Sequence, residues 1–176
     1  IQAIQATMEV LDHNAMEKCI SYIDNARHTF IVAVGNSGPM AEELYYQLFR
    51  IGVNCTIMTD AYLQIMRSAL LSKEDVVCVI SQSGSSQIPV RTAKIAKENG
   101  CKVIAITGDV TSPLAEIADS VLISVAQELK AEAINSRIAQ YSVIYAIYVN
   151  LALKHLERSI ENERIIWEAV TATEGL

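Results

Sequence analysis

The chain has 176 residues, an apolar fraction of 51% and a formal net charge of -6, with a pI near 5.1 and a mean hydropathy of +0.25. That length suffices for one domain with a full hydrophobic core, and the acidic balance excludes a surface that tracks a nucleic-acid backbone, which needs clustered Lys and Arg. Cys19, Cys55, Cys78 and Cys101 form no CxxC pair and no secretory apolar segment opens the chain, so reduced core thiols in a cytoplasmic protein are expected.

In chain order, Ile4, Met8, Leu11, Ala15, Cys19 and Tyr22 recur at helical spacing, which makes residues 1–27 a leading amphipathic segment with a break predicted near His13 and Asn14. A strand is predicted over 29–34, a helix over 39–51, a strand over 53–58 and a helix over 61–71. A third strand over 75–80, a helix over 88–99 and a fourth strand over 102–106 follow, then a short helix over 113–118 and a fifth strand over 121–124. Two long helices, about 131–156 and 159–171, close the chain. Seven glycines and three prolines fall singly at element ends, with no repeat and no linker, so residues 1–176 read as a single domain.

Apolar strands alternating with helices predict an α/β three-layer sandwich, its parallel sheet covered on both faces. For five strands the expected order is the flavodoxin-like 2-1-3-4-5. The most apolar stretch, 138–153, is interrupted only by Gln140, Ser142 and Asn150. It is shorter than the roughly 20 residues of a membrane span, so it reads as a helix buried on several sides, with no membrane partner. Tyr141, Tyr145 and Tyr148 along it read as core packing, with a dimer seam as the second choice. The high apolar content predicts a homodimer or homotetramer.

Two polar loops carry the chemistry. Gly35-Asn36-Ser37-Gly38-Pro39 joins the first strand to its helix: glycines admit a ligand to the backbone, Ser37 offers a hydroxyl and Pro39 suits a first helical position. It is neither a Walker loop nor GxGxxG, and such a turn is also ordinary strand-to-helix geometry. Ser81-Gln82-Ser83-Gly84-Ser85-Ser86-Gln87 follows the third strand and opens a helix. Its hydroxyl, amide and backbone donors suit a phosphate; the plain alternative is a polar loop with Ser86 as N-cap. In the expected strand order both loops flank the crevice where the winding reverses. No metal-ligand spacing and no cofactor motif is present.

These stretches, with Ile104-Ala105-Ile106-Thr107, Ser112-Pro113-Leu114-Ala115 and Ala118-Asp119, resemble the sugar isomerase (SIS) domain over nearly the whole chain. Residues 132–140, Glu132-Ala133-Ile134-Asn135-Ser136-Arg137-Ile138-Ala139-Gln140, resemble more narrowly the effector domain of RpiR-family bacterial transcription regulators. The resemblance implies a phosphorylated sugar held by Ser81, Gln82, Ser83 and Ser86, with Gly84 in the loop and Gly35, Asn36 and Ser37 reaching the ligand from the first loop. It also implies that a DNA-binding helix-turn-helix domain lies outside this chain, so that this fragment alone does not bind DNA. The competing reading is an aldose-ketose sugar phosphate isomerase, which needs a positioned base. Glu132, Glu128, His13, His28 and His155 are the candidates, and none has an orienting partner in sequence. Glu132 is retained as a binding residue, no catalytic residue is assigned, and sensing of a sugar phosphate is favoured.

Overall fold

A computed structural model describes residues 2–125 and 137–174. Helices α1 (Gln2–Val10) and α2 (His13–Asn25) lead into β1 (His28–Ala33), a single 3-10 turn (Gly35–Ser37), α3 (Gly38–Arg50) and β2 (Cys55–Met58). There follow α4 (Ala61–Ser68), β3 (Asp75–Ile80), α5 (Gln87–Glu98), β4 (Lys102–Thr107), α6 (Pro113–Ile117), β5 (Ser120–Ile123), α7 (Ile138–Lys154) and α8 (Leu156–Glu174). The leading helix breaks at Leu11 and Asp12, just before the predicted His13 and Asn14, because Asp12 caps α2 by accepting from the Asn14 N–H at 3.0 Å.

The five strands run parallel in the order β2-β1-β3-β4-β5, as expected. β1 and β3 are buried along their whole length, and their side chains alternate between two cores in the period of two that a pleated strand imposes. Ile31, Cys78, Ile80, Ile104 and Ile106 face one core with α2, α3 and α7. Phe30, Val32, Val77, Val79, Val103 and Ala105 face the other, with Ala93 and Ala96 of α5 and Leu114 of α6. Two layers of helices around one sheet follow from strands apolar on both faces. Truncating a residue such as Ile80 to alanine costs about 2–5 kcal/mol.

The leading helices are tied to the far edge of the sheet. Ser120 Oγ donates to Ala15 O at 2.6 Å, and buried Thr7 accepts from the Val125 N–H at 2.9 Å through Oγ1. Helix α7 packs against α1, α2, α3 and α8, which accounts for its apolar composition. Tyr141 and Tyr148 border the core. Tyr145 departs from the core reading: it is 45% exposed, and its hydroxyl accepts from Gln47 Nε2 at 3.2 Å. No helix among the described residues is long and apolar enough to cross a membrane. All four cysteines are free, and burial pushes the Cys78 thiol up to about 12.

Candidate functional site

Parallel strands deliver their following loops to one edge of the sheet, and here the loops after β1, β3, β4 and β5 enclose a crevice of about 730 Å³. Both predicted loops line it, as the reversal of winding between β1 and β3 requires. From the first come Gly35, Asn36 and Ser37; from the second, Ser81, Gln82, Ser83, Ser85 and Ser86. Ser37 and Ser81 are buried, Ser86 is half-buried, and Asn36, Ser83 and Ser85 are exposed.

The serine loop is held from its neighbours rather than by its own hydroxyls. Its backbone is pinned by Ser81 N–H to Ile106 O at 3.0 Å, Gly108 N–H to Gln82 O at 2.9 Å and Leu114 N–H to Gly84 O at 3.0 Å. The Gln82 amide is engaged with the end of β5: Nε2 donates to Ser124 O at 3.3 Å, and Oε1 accepts from Ser124 Oγ at 3.4 Å. Gln82 thus braces the crevice wall, a task its sequence position did not reveal. Gly84 has a φ of +60°, a conformation that side chains disfavour, and a Cβ there would collide with Ser112 Oγ and Thr107 Oγ1.

This bracing leaves hydroxyls for a ligand. Ser86 occupies the N-cap position of α5, yet its side chain makes no capping hydrogen bond, so the plain capping explanation of this serine fails. Among the described residues, Ser83 Oγ accepts only a long contact from the Ser85 N–H, 3.3 Å. Val90 is the first residue of α5 to bond back, to Ser86 O at 3.1 Å, and the N–H groups of the turn before it concentrate partial positive charge at the loop. Hydroxyls not used in capping, N–H groups of a first helical turn and a helix start are the donor set that suits an anion.

Sequence reasoning missed several parts of the wall. Gly108, Asp109, Val125 and Arg137 also line the crevice, as does Ser85 of the predicted serine loop. Topology alone points to the loops after β4 and β5, since they end at the same edge, but they carry no motif. Asp109 Oδ1 accepts from Thr111 N–H at 2.8 Å and Oγ1 at 2.7 Å, and these bonds hold its carboxyl below the ordinary value. Arg137 stands at the N-cap position of α7. Glu128 and Glu132 lie outside the described residues.

None of the three histidines lines the crevice. His13 is exposed and lies 3.2 Å from Glu17. His28 opens β1 at the opposite end of the sheet, its Nε2 3.1 Å from Thr56 Oγ1, and burial lowers its pKa. His155 has a partner that the sequence did not show: its Nε2 is 2.5 Å from Asp24 Oδ1, beside Lys154 at 2.9 Å from Oδ2. That cluster joins α2 to the α7–α8 corner, away from the crevice.

Comparison with known proteins gives a consistent picture. A family model described as the SIS domain matches residues 22–150. An HTH-type transcriptional regulator of Clostridium perfringens, itself uncharacterised, is 30% identical over 165 residues, covering 93% of this chain and 59% of its own length. The chain spans just over half the length of such relatives. The sugar isomerase domain of an RpiR transcription factor from Sphaerobacter thermophilus superposes with a TM-score of 0.89 at 23% identity, covering 95% of this chain and 93% of the other. NanR of Vibrio vulnificus, complexed with ManNAc-6P, superposes at 0.90 and 22% identity over 98% of this chain and 66% of NanR. A Methanococcus jannaschii protein with an inferred 3-hexulose-6-phosphate isomerase function superposes at 0.65 and 19% identity, covering 85% of this chain and 84% of that one. At these identities the superpositions show the fold alone.

Proposed function

The chain belongs to the SIS-domain family, and from that premise we propose that its crevice binds the phosphate of a phosphorylated sugar as the effector site of a transcriptional regulator. The observation that carries this reading is the serine loop, whose backbone is braced from outside while Ser83 and Ser86 leave their hydroxyls at the start of α5. The phosphate sits against Ser81, Ser83 and Ser86, and Asn36 and Ser37 meet the sugar from the other loop. Glu132, outside the described residues, remains a proposed contact. The HTH-type relatives and the NanR complex with ManNAc-6P support a sensing role.

Isomerisation is the weaker reading, because no histidine reaches the crevice and Asp109, the carboxylate described in its wall, is engaged by Thr111. DNA reading belongs to a segment outside this chain, and the protein acts in the cytoplasm. Tyr46 and Phe49 of α3, Tyr145 and Val149 of α7 and Trp167 of α8 are exposed on helices that pack together, which supports a homodimer or homotetramer.

A thermal-shift panel of sugar phosphates with their unphosphorylated sugars tests the proposal. A ligand at a hundredfold its dissociation constant adds about 2.7 kcal/mol, or roughly 5–10 °C for a domain of this size. Stabilisation by a phosphate and not by its parent sugar is expected; equal stabilisation by both contradicts the reading.

A further inference from the structure

Val125 belongs to two neighbourhoods at once. It lines the crevice with Gln82, and its N–H donates to Thr7 Oγ1 of α1 at 2.9 Å. β5 is an edge strand, paired on one side with β4. The Ser124 N–H continues that pairing, donating to Thr107 O at 2.8 Å. The next N–H, on Val125, points out of the sheet and is met by α1 instead.

These bonds form a continuous chain. On the crevice side, Gln82 of the serine loop holds Ser124 O at 3.3 Å and Ser124 Oγ at 3.4 Å, both near the long limit for a hydrogen bond. On the helix side, Thr7 Oγ1 accepts from Val125 and donates to Ala3 O at 2.8 Å, within a residue that is buried. The dipeptide Ser124-Val125 thus stands between the serine loop and α1. Helix α1 has nine residues, of which it buries Ala3 and Thr7, and an isolated helix shorter than about 12–15 residues is marginal in water. It therefore depends on docking, to α7 and to Val125. A crevice ligand that orders the serine loop fixes Gln82, and through it the backbone that presents the Val125 N–H to Thr7. Both events draw on the same segment, so each lowers the ordering cost of the other.

Resting on the phosphate reading above, we propose that α1 is the output element of the effector site: crevice occupancy and α1 docking strengthen each other through the Thr7–Val125 hydrogen bond. The test is hydrogen exchange followed by NMR on wild type, on Thr7→Val, which keeps the shape and loses the acceptor, and on Thr7→Ser, which keeps the acceptor. The probe is inorganic phosphate, with chloride at equal ionic strength as control. Phosphate should slow exchange at Met8, Glu9, Val10, Leu11 and Val125 about fivefold or more in wild type. Thr7→Val should reduce that factor below about twofold, and Thr7→Ser should restore it. Without phosphate, Thr7→Val should move the Gln82 side-chain amide resonances and leave exchange in β1 and β3 unchanged, which separates lost coupling from lost fold.

Phosphate that shifts the amides of Ser83 and Ser86 in wild type yet leaves α1 exchange unchanged overturns the inference and spares the phosphate reading, whatever the variants do. A slowing of α1 that persists in Thr7→Val also overturns it, assigning the coupling to the packing on α7, as do Gln82 resonances unmoved in that variant. Phosphate that leaves Ser83 and Ser86 unmoved overturns the phosphate reading itself, and the inference falls with it.

Discussion

Replacing Ser83 by alanine removes one hydroxyl from the lip of the crevice and leaves the bonds that brace the loop untouched. Those bonds run through the backbones of Ser81, Gln82 and Gly84, and the Ser83 hydroxyl contributes only a 3.3 Å contact from the Ser85 N–H. Ser83 is exposed, so water takes over that contact and the stability cost stays within about 0.5 kcal/mol. A hydroxyl bonded to a charged phosphate is worth about 1.5–3 kcal/mol, roughly a ten- to 150-fold change in affinity. Calorimetry on wild type and Ser83→Ala, with a sugar phosphate from the thermal panel, reads the affinity, and denaturant unfolding reads the stability. The two effects should differ by at least about 1 kcal/mol in the expected direction. Unchanged affinity, or a stability loss as large as the affinity loss, refutes the assignment of Ser83 to the phosphate.

Gly84→Ala should act on the fold instead. Left-handed backbone costs a side chain about 1–2 kcal/mol, and overpacking adds about 1–3 kcal/mol. Ser112 cannot yield cheaply, since its Oγ donates to Asp109 O at 2.7 Å and accepts from the Ala115 N–H at 3.3 Å; a denaturant-measured loss below about 1 kcal/mol would contradict this. Acid should destabilise the protein in a defined window. Burial alone would raise the Asp75 carboxyl, but hydrogen bonds from Arg27 and Ser72 outweigh it and hold the pKa below 3.8. A lowered folded-state pKa contributes stability that is complete above the unfolded value and lost as pH falls through the folded one. Asp24 and Asp119 are lowered in the same way, so unfolding free energy should decline below about pH 4, and less steeply in Asp75→Asn; a flat profile from pH 5 to 2 would contradict the linkage. Light scattering at micromolar concentration should give at least a dimer mass, and a monomer mass would refute the interface proposed for the exposed faces of α3, α7 and α8.

How much of this was legible in the sequence depended on where each residue's information lies. The runs over 75–80 and 102–106 announce central strands because every position except the exposed Lys102 is apolar or covered, and the observed β3 and β4 differ from them by at most one residue. Strand β2 is shorter than its apolar run, Cys55–Met58 rather than 53–58, because it forms an edge and is only partly buried. Both crevice loops were legible from their composition. The brace formed by Gln82 was not, since its partner Ser124 is 42 residues away and only the packing of β4 and β5 brings them together. Arg137 lies in the 132–140 stretch that carries the narrower resemblance, yet that stretch did not mark it as a crevice residue; the crevice becomes its surroundings only when α7 packs beside α3.

The direct measurement of the central claim is amide NMR of the chain titrated with one sugar phosphate and, separately, with the same sugar lacking phosphate. The account predicts shift changes concentrated at Ser83, Ser85, Ser86, Gln87 and Ile88, with smaller ones at Asn36 and Ser37, for the phosphorylated ligand alone. Changes of equal size from the unphosphorylated sugar, or changes centred away from the start of α5, would contradict it.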